Sequence, residues 1–291
     1  MAAPLEIIAD GLAFPEGPVV MDDGSVIVVE LAAGRITRCW NGRTEAISEP
    51  GGGPNGAAIG PDGALYVCNS GGLDLQRFCN AIGPGAEGRI ERVDLSTGKV
   101  ERVFEACGDI PLSAPNDLVF ARDGSMWFTD LGKRYGRISE ASGLFHAQPS
   151  GSTITCIHHG AIGYNGVGLS PDGATVFVAD TFQARIYAFD AALFARQQPK
   201  MVATVPGPVG LDSLAVTASG AICVGTLHQG GISSVLPTGQ VTKPFDADDA
   251  YVTNIAFGGN DMRDAYITLS QSGKLVRMRW AEPGLRLPFN G

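Results

Sequence analysis

Positive charge is in short supply in this chain: 21 Lys and Arg stand against 30 Asp and Glu, a formal net charge of -9. Without a basic footprint, nucleic acid and anionic membrane surfaces are not expected partners. No apolar run approaches the length of a membrane span. The N-terminal residues Met1 to Glu6 lack the basic stretch followed by an apolar one that marks a secretory signal, so a soluble cytoplasmic protein is expected. The six cysteines (Cys39, Cys68, Cys79, Cys107, Cys156, Cys223) include no CxxC pair. Cys39, Cys68 and Cys223 fall in expected strands, where a thiol packs as a small hydrophobe, and all six are read as reduced and structural. Charged residues are sparse as well, at 18% of the 291 residues.

Glycine, by contrast, is abundant at 40 residues, and short apolar runs are repeatedly broken at Asp-Gly and similar turn signals, which reads as all-β. The decisive feature is a repeat. The stretch from Phe14 to Glu30 contains Pro15-Glu16-Gly17, an apolar triplet, an Asp23-Gly24 turn and a second apolar run. Relatives of it begin at Pro54-Asn55, Pro115-Asn116, Tyr164-Asn165, Leu211-Asp212 and, more weakly, Val252-Thr253. In one register these copies place Glu16, Asn55, Asn116, Asn165, Asp212 and Thr253, all of them oxygen-bearing. Successive members are 39, 61, 49, 47 and 41 residues apart, a spacing that fits propeller blades of roughly 40 to 50 residues. Six units predict a six-bladed β-propeller of four-stranded blades, one domain over residues 1–291. The last unit ends after its third strand, 274–280, so the segment 5–12 is expected to supply the fourth and close the ring, leaving no open edge. Surplus length falls in loops at 69–88 and 131–152 and in a short helical stretch at 191–198.

In a propeller the innermost strands line the central channel, so residues at one register point at a common axis. Taken singly, Asn before Gly is a turn residue and Asn before Asp is a cap. Taken together, Glu16 and Asp212 bring two carboxylates to one axis, which is costly unless a cation or a proton compensates them. Asn116 and Asn165 add neutral carbonyl oxygens. The set suits one hard divalent ion, Ca²⁺ first, with Mg²⁺, Mn²⁺ or Zn²⁺ as alternatives; zinc more usually takes His or Cys, and neither occurs in the register.

The motifs Phe14-Pro15-Glu16-Gly17-Pro18, Pro115-Asn116-Asp117-Leu118, Tyr164-Asn165-Gly166, Leu211-Asp212-Ser213 and Thr253 to Gly259 resemble those of the gluconolactonase/regucalcin (senescence marker protein) family. The resemblance spans essentially the whole chain. It implies a six-bladed propeller with a divalent metal in the channel, held by Glu16, Asn165 and Asp212, with Asn116 as a fourth ligand or a substrate contact. Asp212 would also be the catalytic base. The implied reaction is hydrolysis of a lactone on a small-molecule substrate: the ion polarises the carbonyl and water attacks. Two departures stand out. Relatives of the regucalcin type carry Arg two residues before the position of Asn116, where this chain has Ala114, and many have Asp-Gly where this chain has Asp212-Ser213. The wall near Asn116 thus offers less to bind sugar hydroxyls, and the expected substrate contacts are Asn116, Asn55, Asn69, Arg134, Tyr135 and His228. His146, His158 and His159 read as strand or loop residues. Two other readings use the same ion: an enzyme acting on another electrophile, such as a phosphotriester, or a calcium-binding propeller without turnover.

Overall fold

A computed structural model describes residues 5–77, 79–149 and 153–289. Six four-stranded antiparallel sheets are arranged around a central axis. Blade one comprises Pro15–Val20, Val26–Glu30, Arg35–Trp40 and Arg43–Ser48. Blade two comprises Pro54–Ile59, Leu65–Asn69, Arg89–Val93 and Val100–Phe104. Blade three is Pro115–Phe120, Met126–Asp130, Ser142–Ala147 and Ile154–Ala161. Blade four is Tyr164–Leu169, Thr175–Asp180, Arg185–Asp190 and Lys200–Thr204. Blade five is Gly210–Val216, Ile222–Leu227, Ile232–Val235 and Val241–Phe245.

The sixth blade closes the ring as the missing fourth strand requires. Val252–Gly258, Asp264–Leu269 and Lys274–Arg279 are joined by Glu6–Ala9, which pairs antiparallel with the last of them, Glu6 opposite Arg277 and Ile7 opposite Val276. The hairpin turns form because Asp side chains take up backbone donors that the turn frees. Asp23 and Asp123 accept the N–H groups of Ser25 and Ser125, and the glycine that follows each aspartate adopts a positive φ.

Burial falls from the axis outward. First strands are buried along nearly their whole length, whereas the outermost strand of blade one exposes its first four residues. The core therefore lies between blades. Tyr66, Phe120, Phe128 and Phe145 pack between blades two and three, and Trp127, Leu144, Tyr164, Val178 and Phe189 between three and four. All six cysteines are free, and burial pushes the Cys39 and Cys223 thiols up to about 12. Among the described residues no helix is long and apolar enough to cross a membrane.

Two local expectations are corrected. Residues 191–198 are a turn at 191–192 followed by irregular chain instead of a helix: the Gln197 side chain accepts from the Asp190 N–H and donates to the Asp190 and Leu193 carbonyls, taking bonds that a short helix would need. The stretch 131–152 is not all loop, since it contains the third strand of blade three, Ser142–Ala147, which is buried on both faces and so shows no alternation. His146 lies in that strand, while His158 and His159 lie in the fourth.

Candidate metal centre

Each innermost strand breaks its pairing register at the same place. The shift falls between Glu16 and Val19, Pro54 and Ala57, Pro115 and Leu118, Tyr164 and Val167, Leu211 and Leu214, and Val252 and Asn254. Bulges of this kind bend a strand and re-aim side chains. Six of them at one level put the repeat register on the axis. The strands approach closely there: a Cβ on Gly56 would lie 2.5 Å from the Asp117 Cα, and one on Gly166 would lie 2.6 Å from the Asp212 carbonyl oxygen.

Hydroxyls of neighbouring blades hold the backbone on either side of the register residues. Ser270 donates to the Pro15 carbonyl at 2.6 Å, Thr181 to the Leu211 carbonyl at 2.7 Å, and Thr129 to the carbonyl of Asn165. A second set of side chains, at the ends of the second strands, holds the approach to the first strands of blades one, two and three. Glu30 accepts the Ala13 N–H, and Asp130 those of Ser113, Ala114 and Gly132. Asn69 belongs to this set. It accepts from the Gly53 and Gly71 N–H groups and donates to the Gly51 carbonyl and to Glu91. Completely buried and fully bonded, it has nothing left for a substrate, which corrects its reading as a wall residue.

Glu16, Asn55, Asn116, Asn165 and Asp212 are all buried. The Oδ1 atoms of Asn55, Asn116 and Asn165 have no hydrogen-bond partner. A buried amide oxygen without a partner costs on the order of 1 to 3 kcal/mol, and three at one level of one channel call for an explanation. Thr253 differs, because its hydroxyl is bonded to those of Thr268 and Ser270. Among the described residues no three His, Cys, Asp or Glu side chains form a metal-binding group by themselves. The donor set is mixed: carboxylates with amide oxygens, all hard ligands of the kind that calcium takes.

The electrostatics point the same way. Burial raises the Glu16 carboxyl well above the usual carboxylate range; the charges of Asp212 and Asp117 raise it further, against the opposing Gly17 N–H and Asn254 amide. Burial also raises Asp212, opposed by the Asn165 amide and the Ser213 N–H and reinforced by Asp117. Asp117 itself is pushed up to about 7 by burial, although Val167 and Leu118 donate N–H groups to it. Three buried carboxylates thus oppose one another's ionisation, and a divalent cation at the ring would relieve them.

Asp117 and Asn254 were missed in the sequence. They stand one residue past the ring, at the position that is glycine in blades one, two and four, and that break in the glycine pattern was the available signal. Asn254 donates to Glu16 at 3.4 Å. Both line a cavity of about 370 Å³ in the part of the channel beyond the ring, walled by Val119, Leu169, Val216 and Phe257 and floored by the C-terminal residues Leu285 to Leu287.

The other expected contacts belong to connections at the opposite end, where the first strands begin. The Tyr135 hydroxyl donates to Glu140 at 3.0 Å. The Arg134 guanidinium lies over the Phe182 ring, 4.1 Å from its centroid. His228 is exposed, with its ring 6.5 Å from that of Tyr251.

Residues 14–271 match the family model described as the SMP-30/gluconolactonase/LRE-like region. A gluconolactonase of Zymomonas mobilis is 27% identical over 219 residues, which are 66% of this chain and 56% of that protein; the chain thus spans about half the length of this relative. Among solved structures, a gluconolactonase from Xanthomonas campestris superposes with a TM-score of 0.77 at 22% identity, covering 95% of this chain and 89% of the other. The calcium-binding protein regucalcin from Agrobacterium tumefaciens gives 0.76 at 18% identity, covering 98% of each. At these identities the superpositions speak for the fold alone.

Proposed function

Because the chain belongs to the SMP-30/gluconolactonase/LRE-like family, we propose that it is a divalent-metal-dependent lactonase whose centre is the oxygen ring of Glu16, Asn116, Asn165 and Asp212. The observation that carries this reading is the set of partnerless buried amide oxygens at the same level as two carboxylates of raised pKa. Glu16, Asn165 and Asp212 would hold the ion, with Asn116 as fourth ligand or substrate contact, and Ca²⁺ is the first candidate. Such an ion, when bound, supplies Lewis-acid polarisation of the lactone carbonyl.

The remaining work falls to the chain's own side chains. Asp212 receives the proton of the attacking water on a carboxylate oxygen. Its burial favours the protonated form and so opposes the acidifying effect of a nearby cation, which keeps it serviceable as a base near neutral pH. The Ser213 N–H and the Asn165 amide fix the carboxylate. Asn116, rigidly placed between Pro115 and Asp117 at the bulge, is positioned to orient the ester. The small-molecule substrate enters from the end where Arg134, Tyr135 and His228 lie.

The test is a lactone panel assayed with and without chelator, alongside circular dichroism. Turnover that disappears on chelation while the fold persists supports the reading. Unfolding on chelation, with no lactone opened under any condition, would replace it with a calcium-cemented scaffold. Turnover of a phosphotriester but of no lactone would move the chemistry to a different electrophile.

A further inference from the structure

We infer that the entrance to this site is built for a lactone carrying an apolar, flat substituent such as a fused aryl ring, and that Phe182 is a specificity-determining residue. The inference rests on the ring being a lactone-opening centre and adds the substrate class. Three aromatic side chains sit one layer outside the oxygen ring. Phe14 is two residues before Glu16, and Tyr251 is two residues before Thr253, with the Phe14 and Tyr251 rings 5.9 Å apart. Phe182 comes from the connection between the second and third strands of blade four. Its ring lies against the backbone of Gly163, two residues before Asn165, where an added Cβ would be 2.3 Å from the Phe182 Cδ2.

Phe182 is fixed in place, yet 43% exposed. Its N–H and that of Gln183 are held by the Asp180 carboxylate at 3.0 and 2.9 Å, and the preceding Thr181 is bonded to both Gly163 and Leu211. Ile82, Ile138 and Ile162, exposed by 63%, 54% and 54%, come from connections of blades two, three and three-to-four at this same end. The exposed apolar groups therefore share one end of the propeller over three consecutive blades. Lys133 ties connections at this end together by donating to the Ala81 and Ala86 carbonyls, and the Arg134 N–H reaches the Asn80 side chain at 2.7 Å.

Several polar groups at the same end are already engaged. Glu140 takes the hydroxyls of Ser113 and Tyr135, and the Arg134 guanidinium covers the Phe182 ring. A polyhydroxylated lactone needs a partner for each hydroxyl it buries, and this entrance offers the exposed part of the Phe182 ring and branched alkyl groups instead.

The experiment compares kcat/KM for 3,4-dihydrocoumarin, an aryl-fused δ-lactone, with that for glucono-δ-lactone, in the wild type, Phe182→Ala, Phe182→Leu and Ile138→Ser. Calorimetric binding of the non-hydrolysable lactam 3,4-dihydro-2-quinolinone gives a second readout, and circular dichroism checks the fold. The expected result is an aryl preference of about tenfold or more in the wild type, lost in Phe182→Ala mainly through KM. Lactam affinity should fall by a similar factor, while Phe182→Leu, which keeps apolar bulk if the alanine variant is unstable, retains about half or more of both. Ile138→Ser should weaken the aryl ligand several-fold and leave glucono-δ-lactone within about twofold. Equal or better turnover of glucono-δ-lactone, or equal losses on both lactones in Phe182→Ala, overturns the inference while leaving the lactonase standing. Phe182-dependent lactam binding without turnover of any lactone keeps the subsite and removes the reaction.

Discussion

Asp117→Asn should stabilise the metal-free protein in alkaline solution, because it removes a buried carboxylate that the fold keeps from ionising easily. In the folded chain this carboxyl is raised from 3.8 to about 7. Below pH 4 it is protonated in both folded and unfolded states and contributes nothing to the balance. Between about 4 and 7 the unfolded chain releases its proton while the folded one retains it, so stability falls as pH rises; above 7 the full penalty is in place. A displacement of that size corresponds to a penalty on the order of 4 kcal/mol. Asparagine keeps one acceptor oxygen for the two N–H groups, of Leu118 and Val167, that the carboxylate serves, and losing one such bond costs about 1 kcal/mol. The net gain at pH 8 is therefore about 3 kcal/mol, or roughly 6 °C in Tm for a chain of this size. The assay is thermal unfolding of both proteins in chelator across pH 4.5 to 8. The advantage of the variant should grow steadily with pH and shrink when Ca²⁺ is restored, since the ion offsets the same charge. A variant that melts with or below the wild type at pH 8 in chelator would refute the account of the ring as a site of unrelieved negative charge.

Three further outcomes are expected. Glu16→Gln preserves shape and removes one of two ligand charges, so divalent affinity should fall about tenfold or more by calorimetry, and unchanged metal content in the purified variant counts against the ligand assignment. Asp212→Asn, assayed in single turnovers at saturating metal, should remain slow by about a hundred- to ten-thousand-fold if Asp212 takes the proton, whereas full recovery assigns it to metal binding alone. Removing residues 1–12 strips the edge strand from the sixth blade and exposes the surface that Ala9 and Leu12 cover. Stability by urea denaturation should drop by about 3 kcal/mol or more, and a truncated protein with an unaltered midpoint would mean that the closure carries no weight.

Much of this architecture was legible in the sequence because one physical unit is written six times. Each copy joins a turn aspartate and glycine to two apolar runs, and the register residue falls where the innermost strand bulges, so blade number, closure and the oxygen ring could all be read by alignment of the chain with itself. What escaped were residues whose work depends on other blades. Asn69 looked like a polar group near the mouth. Only the structure shows that it occupies the same end-of-strand position as Glu30 and Asp130 and serves the backbone. Asp117 carries no role in the sequence beyond following Asn116, yet its charge is felt by Glu16 and Asp212 on other blades. Ser142–Ala147 reads as loop in the sequence because a strand buried on both faces carries no period of two. The apolar entrance was invisible for a related reason, since Ile82, Ile138, Ile162 and Phe182 are far apart in sequence and share only an end of the propeller.

Closure of the sixth blade also sets a schedule for synthesis. The strand Glu6–Ala9 is translated roughly 265 residues ahead of its partner Lys274–Arg279. At about 5 to 20 residues per second, the early strand waits roughly 15 to 50 seconds for its mate. During that interval blade one has formed beside an empty place, and the flank of Val20, Val26 and Val28 that will pack against blade six stays wet. The nascent chain is thus most exposed to aggregation just before Lys274–Arg279 is translated, and slowing the ribosome shortly ahead of that segment should cost more soluble protein than slowing it within blade one.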